Sequence, residues 1–136
     1  MTPLVQTRAQ RQLVTAHDCV QEVLSENAAV RKNYGTIARD FGVVVRTTGL
    51  AQASAFAEAK ATGTKGDRQR AYQLLLKHLS QVLDIPAGRV TERIRTTDTV
   101  TYLRYTQEVL QAMVYFRRFV VSLLRIDDPS PTEGPA

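Results

Sequence analysis

Six residues between positions 32 and 49 have the types and spacing to do chemistry. Lys32, Gly35, Arg39, Gly42, Arg46 and Gly49 alternate base with glycine. If this stretch is helical, at about 100° per residue they share one side. A guanidinium grips a phosphate at two points, where an ammonium offers one. Glycines between the bases remove side chains and let another backbone approach. Such a face suits an anionic chain, and Lys65 and Arg68, nearby in sequence, extend it. Each glycine inside a helix costs about 0.5–1 kcal/mol against alanine, so the pattern needs a compensating gain. Periodicity alone leaves two further readings open. The face is solvated and simply tolerates its glycines, or the helix breaks at Gly42.

The groups that could catalyse are poorly placed for it. His17 and His78 fall on different helices, and neither has the neighbouring ligands that a metal site requires. Cys19 follows His17 by two positions, and residues so spaced on a helix do not face each other. Both histidines read as structural and Cys19 as a small core residue. The run Thr62-Gly63-Thr64-Lys65-Gly66 lacks phosphate-loop spacing. Aspartates and glutamates are scattered rather than clustered as a two-metal centre demands. A single cysteine forms no internal disulfide. These observations point to a non-enzyme with no metal and no cofactor.

Apolar residues recur at helical spacing throughout, and no strand pattern or repeat emerges. A first helix is expected over about 2–26, with Leu4, Leu13, Val20, Val23 and Leu24 on its apolar side and Asn27 as its stop. The second, about 28–46, turns Val30, Tyr34, Ile37, Phe41, Val44 and Val45 inward, opposite the glycines and bases. Thr48 is the expected N-cap of a third helix over 50–61, which packs through Leu50, Ala53 and Phe56. Its alanines imply a closely approaching neighbour. A loop over 62–66 leads to a fourth helix capped by Asp67 and packed through Tyr72, Leu75, Leu76, Leu79, Val82 and Leu83. Pro86 and Gly88 end it, and a short piece spans 89–95. Asp98 caps a last helix over about 99–125, with Leu103, Leu110, Met113, Val120 and Leu124 as its stripe. Near its end, Val114, Tyr115, Phe116, Phe119 and Val121 make it apolar nearly all round. A helix of that kind is buried or covered by a partner, so Phe116, Arg117 and Arg118 are candidates for a subunit interface.

The fold class that follows is all-α: one compact bundle of about five to six helices over 1–126, with a disordered proline-rich, acidic tail over 127–136. A chain of 136 residues is long enough to bury a core without staples. Its formal net charge of +5, carried mostly by arginine, favours an anionic partner, and nucleic acid is the commonest. The N-terminus lacks the charged-then-apolar pattern of a signal peptide. Arg117 and Arg118 interrupt the longest apolar stretch, so no membrane span is expected and the location expected is cytoplasmic.

Three stretches together resemble the small subunit of the type III-B (Cmr) CRISPR effector complex. They are Arg8-Ala9 with Cys19-Val20; Tyr34-Gly35-Thr36-Ile37-Ala38-Arg39 with Arg46-Thr47-Thr48-Gly49-Leu50-Ala51-Gln52-Ala53 and Phe56; and Tyr102-Leu103-Arg104-Tyr105-Thr106-Gln107-Glu108 with Phe116-Arg117-Arg118-Phe119. The element Gly-Leu-x-Gln-Ala-x-x-Phe, with a base three positions before its glycine, is the most specific. The chain departs from the family pattern at Phe41-Gly42, where a Leu-Pro pair is common, and at Thr48, where asparagine is common. The resemblance implies a helical bundle that stacks with copies of itself beside other Cmr subunits. It also implies backbone contacts to guide RNA and target RNA, with cleavage left to other subunits. It implies no membrane partner and no small-molecule substrate. Two other readings compete: a helical nucleic-acid-binding regulator with sequence preference, and a structural adaptor whose basic face is incidental.

Overall fold

The computed structural model describes residues 6–126. Leu4 and the expected tail over 127–136 therefore lie outside the described residues. Six helices follow one another: α1 (Arg8–Val23), α2 (Ala28–Thr48), α3 (Leu50–Gly63), α4 (Gly66–Leu83), α5 (Val90–Thr96) and α6 (Thr99–Leu123), with no strand among the described residues. The fold is an all-helical bundle.

Local chemistry sets most of the boundaries. Thr7 and Gln10 form a capping box, each side chain satisfying the other's backbone N–H, so α1 starts at Arg8. Asn27 both ends the first turn region and caps α2, accepting the Val30 N–H at 2.9 Å. Asp98 caps α6 in the same way, through Thr101 at 2.8 Å.

Two expected caps are corrected. Thr48 belongs to α2, and its hydroxyl donates back to the Val44 carbonyl at 2.9 Å. The N-cap of α3 is Gly49, whose φ of 90° lies in the left-handed region that glycine tolerates. With no side chain there to cap the helix, Tyr102 of α6 supplies an acceptor: its hydroxyl takes the Ala51 N–H at 3.1 Å. Asp67 likewise is not a cap. Lys65 holds that position, and Asp67 sits in the first turn of α4, where it accepts from the Asn27 side chain at 3.1 Å. The expected loop over 62–66 shrinks to Thr64 and Lys65, because α3 runs on to Gly63.

Helix α2 is the hub. It packs most extensively on α6 and α4, while α3 packs mainly on α4 and α1 on α6. Val30, Tyr34, Phe41 and Val45 are buried as expected, but Val44 is exposed and Ile37 half-buried. Helix α3 packs through Leu50, Ala53, Ser54, Ala57 and Ala61. Phe56, expected among them, is 52% exposed. Small side chains take most of the buried side, which faces α4, the main packing partner of α3. Leu103, expected on the α6 stripe, also faces solvent, and Tyr105, Val109 and Ala112 are buried instead.

Candidate nucleic-acid interface

Gly35 and Gly42 do not face outward. Both are buried, and they face α6. A Cβ at Gly42 would lie 3.3 Å from Met113 Cβ, and one at Gly35 would lie 3.3 Å from a Val120 methyl and collide with Ile126. The glycines therefore let α2 and α6 pack closely; they do not form an external strip for a phosphodiester chain. The buried arc of α2 is turned toward them, away from Val44. The compensation for their helix-propensity cost comes from inside the fold.

That close packing brings cations from two helices to one place. Arg39 and Arg46 of α2 and Arg117 and Arg118 of α6 line an open groove of about 480 Å³, with Gly42, Met113 and Leu110 among its apolar lining. No carboxylate is among the described residues that line it. Arg46 sits in the last turn of α2, where the negative end of the helix dipole favours a cation. Arg39 is steadied by Asp40, whose carboxylate accepts from its Nε at 3.1 Å, and its side chain keeps only 17% exposure. Arg118 is exposed and Arg117 half-buried.

The remaining candidates separate from this group. Lys32 and Arg68 line a different groove, bounded by α2, α3 and α4, whose lining also includes Asp40 and the exposed Phe56. Arg68 stacks 6.0 Å over the ring of Tyr72. Lys65 is exposed at the start of α4 and lines neither groove. The expected single row Lys32, Arg39, Arg46, Lys65 and Arg68 is thus divided. Phe116, expected at a subunit interface, is 0% exposed and belongs to the core; of the arginines beside it, Arg118 is exposed and Arg117 half-buried.

Sequence spacing gave no sign of a second basic groove. Arg8 and Arg11 of α1, Arg93 of α5 and Arg104 of α6 meet in one cleft, but Asp84 and Glu108 share its lining. Glu108 accepts from Arg8 at 3.1 Å and lies 3.9 Å from Arg104. These arginines come from three helices with no local period to announce them.

The side chains capable of catalysis are occupied with structure. His78 is fully buried, with Nδ1 2.6 Å from the Tyr34 hydroxyl and Nε2 2.8 Å from Glu22. His17 pairs with Asp18 at 3.1 Å and sets its ring edge against Phe119. Cys19 is buried and donates to Gln81 at 2.8 Å. Burial, reinforced by Glu22 and Asp18, pushes its thiol up to about 12, far from the range of a nucleophilic thiolate. Among the described residues no group of three or more His, Cys, Asp or Glu side chains could hold a metal ion, and no helix is long and apolar enough to cross a membrane.

Comparison with known proteins matches the whole of this architecture. A family profile described as CRISPR-associated protein (Cas_Cmr5) covers residues 8–123, from the first residue of α1 to the last of α6. The CRISPR system Cmr subunit Cmr5 of Thermus thermophilus is 32% identical over 121 residues, covering 88% of this chain and 98% of that protein. The crystal structure of a CRISPR-associated Cmr5 family protein from the same organism matches with a TM-score of 0.73 at 32% identity, again over 88% of this chain and 98% of the other. The chain belongs to the Cmr5 family of CRISPR-associated proteins.

Proposed function

We propose that the chain is a non-catalytic subunit of a Cmr effector complex that holds RNA by its phosphate backbone in the groove between α2 and α6. The observation that carries this reading is the convergence of Arg39, Arg46, Arg117 and Arg118, from two helices, on one groove. Guanidiniums arranged along a groove neutralise phosphates without reading bases, which suits contact with guide and target RNA of any sequence. The relative described as a Cmr subunit supports the choice of complex. Contacts to other Cmr subunits and to copies of itself are assigned to the exposed apolar residues on α3 and the start of α6, Phe56, Val100 and Leu103. With RNA as its partner, the subunit would work in the cytoplasm as a scaffold.

Binding of the full chain to unrelated RNAs and duplex DNAs across a salt series tests the reading. The expected result is weak binding, indifferent to sequence, that collapses as salt rises through ~200 mM. Strong preference for one duplex DNA sequence would make the chain a regulator instead. No binding even at low salt would make it a purely structural adaptor.

A further inference from the structure

We propose that the cleft between α1, α4, α5 and α6 binds a compact phosphate ester that also carries hydroxyl groups, with Arg11 and Arg93 on the phosphate and Asp84 on a hydroxyl. The site is separate from the α2–α6 groove and independent of what binds there.

The cleft is open to solvent and has a volume of about 710 Å³. Small-ligand sites commonly occupy about 300–1,000 Å³. Three helices bring cations to it. Arg8 and Arg11 stand in the first turn of α1, which holds no acidic residue. The positive end of a helix dipole disfavours bases there, so an anion beside them relieves a local cost. Arg93 comes from the last turn of α5, and Arg104 from α6. Asp84, which ends α4 in the left-handed region at a φ of 54°, lines the same cleft.

The four arginines are not equivalent. Glu108 engages two of them through one oxygen: its Oε1 lies 3.1 Å from Arg8 and 3.9 Å from Arg104. Arg104 also lies 5.7 Å over the ring of Tyr105. Arg11 and Arg93 are exposed, and among the described residues neither guanidinium has a hydrogen bond or an ion pair. The same holds for the exposed Asp84 carboxylate. Four arginines against two carboxylates leave the cleft two positive charges, the complement of a phosphate monoester at neutral pH. Two free guanidiniums suit its oxygens through charge-assisted hydrogen bonds.

The carboxylates limit the size of the ligand. A phosphodiester chain laid along the cleft would run into Asp84 and Glu108, whereas a compact ester keeps its charge on Arg11 and Arg93. Its hydroxyls can then donate to Asp84, the pairing by which an acid holds a ribose hydroxyl. Tyr105, the aromatic residue in the lining, is 6% exposed and offers a base no face to stack on. The recognised parts are therefore sugar and phosphate, a chemistry that sugar phosphates and nucleotides share.

The test follows the Arg11 and Arg93 Nε–H groups and the Gln12 and Leu83 amides of the full chain by NMR. Inorganic phosphate, ribose 5-phosphate and adenosine 5′-monophosphate are added in turn, with sodium chloride at equal ionic strength as the control. Ribose 5-phosphate should bind about threefold to tenfold more tightly than inorganic phosphate. Arg11→Gln with Arg93→Gln should weaken both by about tenfold or more, with helical circular dichroism unchanged. Asp84→Asn keeps a residue that tolerates the left-handed turn; it should abolish the advantage of the sugar and spare phosphate binding. Shifts no larger than those in chloride, or undiminished in the double arginine variant, would overturn the proposal. Equal affinity for phosphate and ribose 5-phosphate would overturn the role of Asp84 and the hydroxyl-bearing ligand. Adenosine 5′-monophosphate should match ribose 5-phosphate, and much tighter binding would overturn the exclusion of the base. The last arm uses Arg46→Glu with Arg118→Glu, which disables the α2–α6 groove. If unstructured RNA displaces ribose 5-phosphate from that variant, the cleft is an RNA surface and the compact ligand is overturned.

Discussion

The Tyr34 hydroxyl lies 2.6 Å from Nδ1 of His78, and neither side chain reaches solvent. The far nitrogen of the same ring lies 2.8 Å from Glu22, which also accepts from Lys77 at 2.7 Å. The arrangement fits a neutral imidazole: Tyr34 donates to Nδ1, and the Nε2 hydrogen goes to Glu22. Burial holds the His78 pKa below its ordinary 6.5 despite the pull of Glu22. Hydrogen bonds from Lys77 and His78 hold Glu22 below its ordinary 4.5.

Acid should therefore loosen the fold in two stages. A group whose pKa is lower in the folded state binds more protons when unfolded, so its stabilisation is complete above the unfolded value and is lost below it. Urea midpoints should be level above about pH 6.5, fall as His78 is asked to take a proton, and fall again below about pH 4.5 with Glu22. Tyr34→Phe leaves Nδ1 buried without a donor and should cost about 1–3 kcal/mol at pH 7.5. A midpoint unchanged between pH 7.5 and 5.5 would contradict a neutral, buried His78.

Two helical glycines in opposite surroundings should respond oppositely to substitution. Gly42→Leu drives a side chain into Met113 and should destabilise by about 1–3 kcal/mol. Gly63, at the end of α3, has open space around its missing Cβ and an ordinary φ. Gly63→Ala should stabilise by roughly 0.5–1 kcal/mol. Thermal melts of the two variants beside the parent protein settle the matter.

The corner between α2 and α3 depends on a side chain from far along the chain. Tyr102→Phe removes the acceptor for the Ala51 N–H and should cost about 1 kcal/mol, while leaving the helical content intact. Gly49→Ala forces a left-handed conformation on alanine and should cost at least about 1 kcal/mol. Chemical denaturation reads both, and a Tyr102→Phe variant as stable as the parent would show that water replaces the hydroxyl.

Charge reversals should divide along the two grooves. Arg46→Glu together with Arg118→Glu should abolish low-salt RNA binding. Lys32→Glu with Arg68→Glu, on the other side of α2, should leave most of it. Each lost phosphate contact should reduce the slope of log affinity against log salt by about 0.7 for single strands. Equal losses from the two double variants would move the interface off the α2–α6 groove.

Cys19 provides a clock for opening. Its buried thiol, with a pKa pushed up to about 12, should be inert to a thiol reagent at pH 8 until the bundle unfolds. Its labelling rate should rise in step with global unfolding as urea is added. Fast labelling in native buffer would mean that α1 opens by itself.

What the sequence disclosed, and what it withheld, follows from the range of each signal. Asn27 and Asp98 are readable as boundaries because a cap acts within three residues. Thr48 misleads because its hydroxyl has two backbone uses, and the choice of the Val44 carbonyl depends on Gly49 taking the turn. The row of bases and glycines is real as a pattern, but periodicity places it wrongly in space. A helical wheel weighs side chains, so a glycine buried through its bare backbone counts as outward. Phe56 and Leu103 fit apolar spacing yet face solvent, and periodicity does not distinguish a core position from one left for a partner. The meeting of Arg39 and Arg46 with Arg117 and Arg118 is invisible in the sequence because it is a property of how two distant segments dock.

Gly42 also has a thermodynamic consequence. The guanidiniums of Arg39 and Arg118 come to line one groove only when α2 and α6, far apart in sequence, pack together through Gly42. An unravelled polypeptide has the same net charge but spreads it thinly, so a polyanion gains most from the gathered state. Ligand that prefers the folded form at a hundredfold excess over its dissociation constant adds about 2.7 kcal/mol of resistance to unfolding. If RNA binds there as proposed, the subunit would resist unfolding and proteolysis better when bound than when alone.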